Sequence, residues 1–181
     1  WLFPKIWETL NQAPEVYLGR NVPTMEGGFG STLTLFNNFR IFAQFDFKTG
    51  FQKLDGNYRV RCFFFSECRE NWFPQEFDPA DIAEVQDAGT YVDVLVDDAD
   101  FLKFRELAVS YSVPAEWIAK IGARRGTITL AGRNLHTWTS FMGLEPESTF
   151  NGGSRGGSFS LWEQNVLPQL TQFIATFNVS F

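Results

Sequence analysis

The sequence predicts an all-β fold of antiparallel strands, and two observations support this. Apolar and polar residues alternate along several segments, as they do on a strand with one apolar and one polar face. Aromatic residues make up 17% of the chain, yet no apolar run approaches the roughly 18 to 20 residues of a membrane-spanning helix. The mean hydropathy of -0.15 suits a soluble β protein and equally a transmembrane β-barrel, whose alternating strands average to moderate values.

The first two predicted strands form a hairpin. Residues 29–36 are rich in β-forming side chains and end at Asn37 and Asn38, which tolerate positive φ and predict a tight turn. Residues 39–48 place apolar side chains at odd positions on one face, against mostly polar side chains on the other. A tilted strand of about 9 to 11 such residues can cross a bilayer.

Three further strands follow at longer intervals. Residues 101–113 end at Pro114, which cannot donate to a β-ladder, and residues 115–121 are predicted to form a short turn or helical piece. Residues 127–139 form the fourth predicted strand and residues 170–181 the last. The apolar side of the last strand is formed by Phe173, Ala175, Phe177, Val179 and Phe181.

The connections between these strands alternate in length. Residues 1–26, 51–100 and 140–168 are long connections, whereas the turn at 37–38 and the segment 114–125 are short. Outer-membrane barrels alternate in this way because their external loops are long and their periplasmic turns short. The pattern predicts an antiparallel up-and-down transmembrane β-barrel with long external loops and a periplasmic C-terminus; a soluble β-sandwich is the alternative.

The net charge of the chain limits the classes of molecule that it can bind. The formal net charge is -6, which argues against nucleic acid because phosphate binding requires a basic surface. Many acidic residues lie between Asp78 and Asp100, where Asp78 and Pro79 also predict the cap and first position of a short helix. We interpret these acidic residues as solvated; calcium bound in the acidic external loops is the alternative, although the spacing lacks the EF-hand pattern.

The two cysteines, Cys62 and Cys68, have five residues between them. With no His or further Cys nearby, a zinc site lacks ligands. In an oxidising compartment the pair can close a small loop with a disulfide, and in a reducing one it stays free, so both states are open at this point.

Several segments carry motifs whose order matters. Residues 101–114 run Phe-Leu-Lys-Phe-Arg-Glu-Leu-Ala-Val-Ser-Tyr-Ser-Val-Pro, residues 131–139 run Ala-Gly-Arg-Asn-Leu-His-Thr-Trp-Thr, and residues 143–147 run Gly-Leu-Glu-Pro-Glu. Residues 17–23, Tyr-Leu-Gly-Arg-Asn-Val-Pro, precede them and the aromatic terminal strand follows. In this order the motifs resemble the C-terminal β-barrel segment of SusC/RagA-type TonB-dependent outer-membrane transporters, over most of the chain.

The resemblance implies that residues 1–181 are only the last five or so strands of a larger barrel, with the plug domain and earlier strands outside this sequence. The start at Trp1, without an initiator Met, agrees with this expectation. The implied function is part of an outer-membrane importer of glycans or peptides, without enzymatic activity or a cofactor. The implied partners are outer-membrane lipid, a SusD-like lipoprotein, TonB through the missing N-terminal part, and the barrel-assembly machinery, for which Phe177, Val179 and Phe181 would form the C-terminal signal.

Trp72 and Trp162 are the candidates for substrate binding. An aromatic ring in a loop can stack on a sugar ring, and both residues fall in predicted external connections. The alternative is a place in the interfacial aromatic girdle, where amphipathic rings suit the headgroup region.

No catalytic or metal-binding residue is expected. His136, the only histidine, lies in strand-like sequence without a nucleophile elbow and is interpreted as a wall residue. Glu145 and Glu147 resemble the carboxylate pair of glycoside hydrolysis, but their family-like spacing favours a loop folded against the barrel mouth. The alternative functions are a secreted carbohydrate-binding β-sandwich and, more distantly, a glycosidase using this pair. The glycine-rich residues 152–157 lack a phosphate-loop ending and are interpreted as a flexible external loop.

Overall fold

The computed structural model describes residues 17–87, 95–148, 162–164 and 166–181. The strands in these residues are β1 (Met25–Leu35), β2 (Phe39–Thr49), β3 (Gln52–Asp55), β4 (Val96–Asp98), β5 (Phe101–Ser112), β6 (Arg125–Thr139), β7 (Trp162–Glu163) and β8 (Gln172–Ser180). The helices are α1 (Gly56–Tyr58), α2 (Arg69–Trp72), α3 (Pro79–Asp87) and α4 (Ala115–Ile118), with a π-helical turn at Arg59–Phe64 and 3-10 turns at Pro74–Glu76 and Ala119–Ile121. Within the described ranges no helix is long and apolar enough to cross a membrane.

The five long strands form one antiparallel sheet in the order β1-β2-β5-β6-β8. They correspond to the five strands that the alternating pattern predicts. The largest difference from the predicted bounds is at β1, which begins at Met25 and not at residue 29. Gly27 and Gly28 carry no side chain and show no alternation, yet they pair with Phe47 and Asp46 of β2. In the described part of the chain β1 and β8 are free edges, so this sheet is open.

One face of the large sheet is apolar from edge to edge. Directly paired residues of neighbouring strands project on the same side, and the register joins Leu33, Ile41, Val109, Leu130 and Ala175 into one row across all five strands. In a parallel row the ring of Phe45 stacks between those of Phe29 and Phe104, with centroids 5.1 and 4.6 Å apart. We call this the apolar face.

The apolar face is exposed. Leu130 is 58% exposed, Phe177 69% and Phe173 82%. The β-sandwich alternative needs a second sheet over this face, and the described residues form none there. The observed exposure is that of a sheet whose apolar side meets something outside the described chain.

The opposite face of the large sheet is polar. It carries Ser110 and Thr129, whose hydroxyls lie 2.9 Å apart. It also carries charged side chains, among them Lys103 and Arg105, at the end of the sheet where the long connections leave. The pairing of β5 shifts register between Phe104 and Glu106. This bulge places Arg105 and Glu106, two consecutive residues, on the polar face, which strict alternation does not allow.

A second, smaller sheet comes from the long connections. Its order is β4-β3-β7, with β3 antiparallel to β4 and parallel to β7. The chain after β3 is helical over Gly56–Tyr58 and Arg59–Phe64, and the side chain of Asp55 accepts a hydrogen bond from the backbone N–H of Tyr58 at 2.8 Å. The helix predicted at Pro79 is present as α3.

The two short connections differ in kind. Leu35 pairs with Phe39, and the turn between them has positive φ at Phe36 (50°) and Asn37 (59°). The predicted positions were Asn37 and Asn38, so the turn is displaced by one residue and places a phenylalanine in the left-handed region, which is unusual for a bulky side chain. The other connection holds α4 and ends at Gly122, whose φ of 78° closes the helical piece.

The buried core lies at the end of the sheet where the long connections leave. Phe51, Ala99, Phe101 and Phe141 form one buried cluster there. Two smaller clusters contain Leu54 with Leu95, and Val85 with the two cysteines. Apolar packing therefore stabilises the long connections against this end of the large sheet. The apolar face itself contributes little buried surface.

Candidate functional site

The candidate site is a cluster of charged side chains on the polar face, where residues 143–148 fold against strand β5. Lys103 is 3% exposed, and its neighbour across the bulge, Arg105, lies on the same face. Buried cations need carboxylate partners, because removing a charge from water is costly unless it is paired. Two sequence motifs supply both halves of the cluster: β5 supplies the cations and the Gly-Leu-Glu-Pro-Glu segment the anions.

Glu147 bridges the two cations. Its carboxylate lies 2.9 Å from Lys103 Nζ and 2.5 Å from an Arg105 nitrogen. Lys103 also contacts Glu145 at 2.5 Å, and Arg105 contacts Asp46 of β2 at 2.6 Å. Ion pairs thereby join residues 143–148 directly to β5 and, through Arg105, to β2.

The small sheet holds the same loop from its other side. Lys53 of β3 donates from Nζ to the backbone oxygen of Pro146 at 2.8 Å and to that of Ser148. Glu163 of β7, with no exposed surface, accepts the backbone N–H groups of Leu144 and Glu145 at 3.1 Å. Neither Lys53 nor Glu163 belongs to a motif, and they were not predicted; a lysine in a four-residue strand and an acid in a two-residue strand carry no periodic pattern.

Burial and pairing shift the pKa values of these groups. Burial lowers the pKa of Lys53 to about 8, against the opposing pull of nearby Glu163, Glu145 and Glu147. Burial and then the nearby carboxylate of Asp55 raise the pKa of Glu163. For Glu147 burial acts in the raising direction, but the hydrogen bonds from Arg105 and Lys103 outweigh it and lower the pKa.

This arrangement positions a loop and does not suit acid catalysis. A glycosidase needs one carboxylic acid whose pKa is raised so that it can protonate the leaving group. The pKa of Glu147 is lowered, and both Glu147 and Glu145 are bound to Lys103. Glu147 therefore does not fit the role of the general acid that the glycosidase alternative requires.

A polar groove runs beside the cluster. It encloses about 340 Å³, and its charged wall residues are Glu26, Asp46, Lys48, Arg105 and Glu147. Lys48 pairs with Glu26 at 2.9 Å. The groove therefore offers fixed charges of both signs on the polar face.

The predicted aromatic candidates lie apart from this cluster. Trp72, at the end of α2, is 66% exposed and donates from its indole nitrogen to the oxygen of Ser66 at 3.0 Å. Trp162 begins β7, and its side chain lies outside the described part of the structure. His136 lies on the apolar face and meets Trp138 edge to face, with ring centroids 4.5 Å apart. The structure does not bring Trp72 and His136 to a common site.

Cys62 and Cys68 are joined by a disulfide that closes a loop carrying exposed rings. Both cysteines are buried, whereas Phe64 is 59% and Phe65 66% exposed. The loop forms one wall of a cavity of about 310 Å³, whose other wall includes Met142. The disulfide thus shapes the surface of the long connection between β2 and β5.

The acidic residues between 78 and 100 are divided among several elements. Asp98 and Asp97 pair with Gln52 and Lys53 across β4 and β3, and the side chain of Asp100 accepts the N–H of Gly50 at 2.6 Å. The side chains of Asp81, Glu84 and Asp87 and the whole of Asp93 lie outside the described residues, as do residues 152–157. Within the described ranges no group of three or more His, Cys, Asp or Glu is placed to hold a metal, and the calcium hypothesis stays a prediction.

The proposed C-terminal signal residues lie on the outer edge of the sheet. Phe177 is 69%, Val179 46% and Phe181 76% exposed. Phe177 and Val179 face the same side as Leu130, on the apolar face. They are therefore available to a partner outside this chain.

Comparison with known proteins places these observations in a family context. No family model matches the sequence. A TonB-dependent receptor of Formosa agariphila is 26% identical over 183 residues, which cover 92% of this chain and 18% of that receptor. The chain thus spans under a fifth of the length of its curated relative.

Solved structures share the fold. The RagAB peptide importer in its closed-closed state aligns with a TM-score of 0.69 at 19% identity, over 96% of this chain and 19% of the importer chain. The open-open state aligns with a TM-score of 0.63 at 19% identity, over 88% of this chain and 17% of the importer chain. Together the curated relative and these structures confirm, over most of this chain, the resemblance to SusC/RagA-type TonB-dependent transporters that the motifs indicated.

Proposed function

We propose that this chain forms part of the barrel wall of an outer-membrane TonB-dependent nutrient importer and has no enzymatic activity of its own. The observation that carries the proposal is the open five-stranded sheet with an exposed apolar face and a polar opposite face. Lipid covers such a face in a membrane barrel, and the polar face then lines the interior. The similarity to a TonB-dependent receptor supports the same function.

The free edges of the sheet call for further strands. A transmembrane barrel closes with at least about 8 strands, and the large sheet contributes five. The remaining strands, the plug and the contact with TonB would come from other parts of a longer protein. The exposed edge strand β8, with Phe177, Val179 and Phe181, would serve as the signal for the barrel-assembly machinery, with the C-terminus in the periplasm.

The long connections would face the cell exterior. They carry the small sheet and residues 143–148, which the ion pairs with Lys103 and Arg105 of β5 would hold at the mouth of the barrel. A SusD-like lipoprotein would cover this end, and the solute would be a peptide or a glycan. RagAB, a peptide importer by name, supports the peptide, and the exposed ring of Trp72 supports a contact with a sugar.

A charge placed on each face of the sheet tests this function. Leu130 lies on the apolar face and Thr176 on the polar face, both in the middle of paired strands. In the full-length transporter Leu130→Arg should destabilise the folded barrel by about 2 to 4 kcal/mol, the cost of arginine at the bilayer midplane. Thr176→Arg is the matched control and should cost far less, because it meets water.

The readout is the amount of heat-modifiable, folded protein in purified outer membranes. Leu130→Arg should reduce that amount strongly and Thr176→Arg should leave it near the unmodified level. Equal amounts for the two variants would contradict lipid contact at the apolar face.

A further inference from the structure

The connection between β5 and β6 folds back onto the apolar face. Gly126, near the start of β6, pairs with Val179 of β8, so the two share a side of the sheet. A Cβ at Gly126 would lie 2.7 Å from Cγ1 of Ile118, the last residue of α4. Ile118 therefore occupies the space that a side chain at Gly126 would fill, on the apolar face.

The same connection presents two further apolar side chains that are mostly exposed in the described chain. Trp117 and Ile121 are each 61% exposed, whereas Ile118 between them is 8% exposed. They flank Ile118 in sequence, in the connection at the end of the sheet where the connections are short. Exposed large apolar groups next to such a surface indicate a contact outside the chain.

The charge of the connection is opposite to that of the protein. Among residues 113–124 the ionisable side chains are Lys120, Arg124 and the single acid Glu116, and Arg125 follows as the first residue of β6, whereas the whole chain carries a net charge of -6. All three basic residues are exposed. An indole ring beside basic side chains, at the rim of an apolar surface, matches the boundary between hydrocarbon and anionic phospholipid headgroups.

We propose that residues 113–124 form an interfacial anchor. Trp117 and Ile121 insert at the boundary between hydrocarbon and headgroups of the leaflet beside the short connections. Lys120 and Arg124 contact the phosphates of anionic phospholipids there. The anchor rests on the proposed function, because it needs lipid against the apolar face, and it assigns a membrane contact to a segment outside the strands.

Immersion depth tests the anchor in the full-length transporter reconstituted in vesicles of phosphatidylcholine and phosphatidylglycerol. Nitroxide labels are placed singly at Trp117→Cys, Leu130→Cys and Trp72→Cys, with other free cysteines replaced. Collision rates with oxygen, which partitions into lipid, and with a water-soluble nickel chelate report the surroundings of each label. Trp72 is the matched control, because it is 66% exposed, close to the 61% of Trp117. It belongs to a long connection, at the opposite end of the sheet from Trp117.

The label at 117 should show an oxygen-to-nickel ratio several-fold above that at 72 and below that at 130. A ratio at 117 equal to that at 72 overturns the anchor while the label at 130 still reports lipid. Protection of 117 from both reagents also overturns it and points to a protein contact. A label at 130 that the nickel chelate reaches freely instead overturns the proposed function itself.

The charged half of the anchor is tested with a label at Ile121→Cys, which keeps Trp117. Its immersion should be deeper in vesicles containing phosphatidylglycerol than in phosphatidylcholine alone. The double variant Lys120→Gln and Arg124→Gln should remove this difference. If the difference persists in the double variant, these two residues are not the headgroup contacts.

Discussion

Glu147 is the residue through which the charged cluster acts as one unit. Lys103 has two carboxylate partners, and Arg105 also has two. In the described chain Glu147 is the only carboxylate that both cations share. Removing it leaves each cation with one partner, so the loop would lose the bridge but not every contact. The free-energy cost of removing Glu147 should therefore lie between the cost of losing an exposed ion pair and that of losing a fully buried one.

Glu147→Gln should loosen residues 143–148 by about 1 to 3 kcal/mol, because two partly buried ion pairs are lost while the shape of the side chain is kept. Hydrogen exchange of the loop amides in the full-length transporter measures this local opening. Glu106→Gln is the control, since its partner Arg133 is 53% exposed in the side chain and surface pairs contribute little. Similar exchange rates in the two variants would show that the bridge does not hold the loop.

The pKa of Glu147 predicts a loss of loop protection in acid. A carboxylate whose folded-state pKa is lowered contributes stability above its unfolded pKa, and that stability disappears as the pH falls through the folded value. The ordinary value for Glu147 is 4.5 and the folded value lies below it. Loop amides should thus keep their protection from neutral pH to about 4.5 and lose it in stronger acid, after correction for intrinsic exchange rates. Glu147→Gln should not show this added loss, and an equal loss in that variant would assign it to other groups.

At the scale of elements, the large sheet was predictable and the small sheet was not. The long strands carry enough alternating residues to define a period, and a strand such as 39–48 is recognisable by itself. Strands β3 and β7 have four and two residues, too few for any period, and they pair although about a hundred residues separate them in sequence. The residues of the charged cluster differ in the same way. Lys103, Glu145 and Glu147 lie in motifs that the sequence shows, whereas Lys53 and Glu163 lie in these short strands and could not be predicted.

The disulfide should stabilise the long connection between β2 and β5 locally rather than the large sheet. Cys62 and Cys68 are separated by six positions, and a loop of this size gains about 2 kcal/mol from closure. Replacing both cysteines with serine should raise hydrogen exchange over residues 59–72 and leave β5 and β6 unchanged. A thermal shift of the whole barrel without a local change over residues 59–72 would contradict this assignment. Ser66→Ala in the same loop keeps the disulfide and serves as the control.

At the scale of the whole molecule, the described chain is a surface that requires partners. Every residue of β8 is exposed, and an unpaired edge strand offers its backbone N–H and C=O groups to any other strand. The apolar face adds side-chain surface that water solvates poorly. The buried clusters lie at one end of the sheet and cannot compensate for either feature.

The isolated 181-residue chain is therefore expected to associate in aqueous buffer and to disperse only in detergent. Light scattering after size-exclusion chromatography measures the first effect, and the same measurement in detergent measures the second. Leu130→Gln with Phe177→Gln makes the apolar face more polar while keeping both edges, so it should reduce association only in part, because edge pairing by β8 remains. A monodisperse monomer of the unmodified chain in buffer, with β8 amides protected from exchange, would mean that the chain covers its own edge and apolar face, which would remove the physical basis for placing this sheet in a larger barrel.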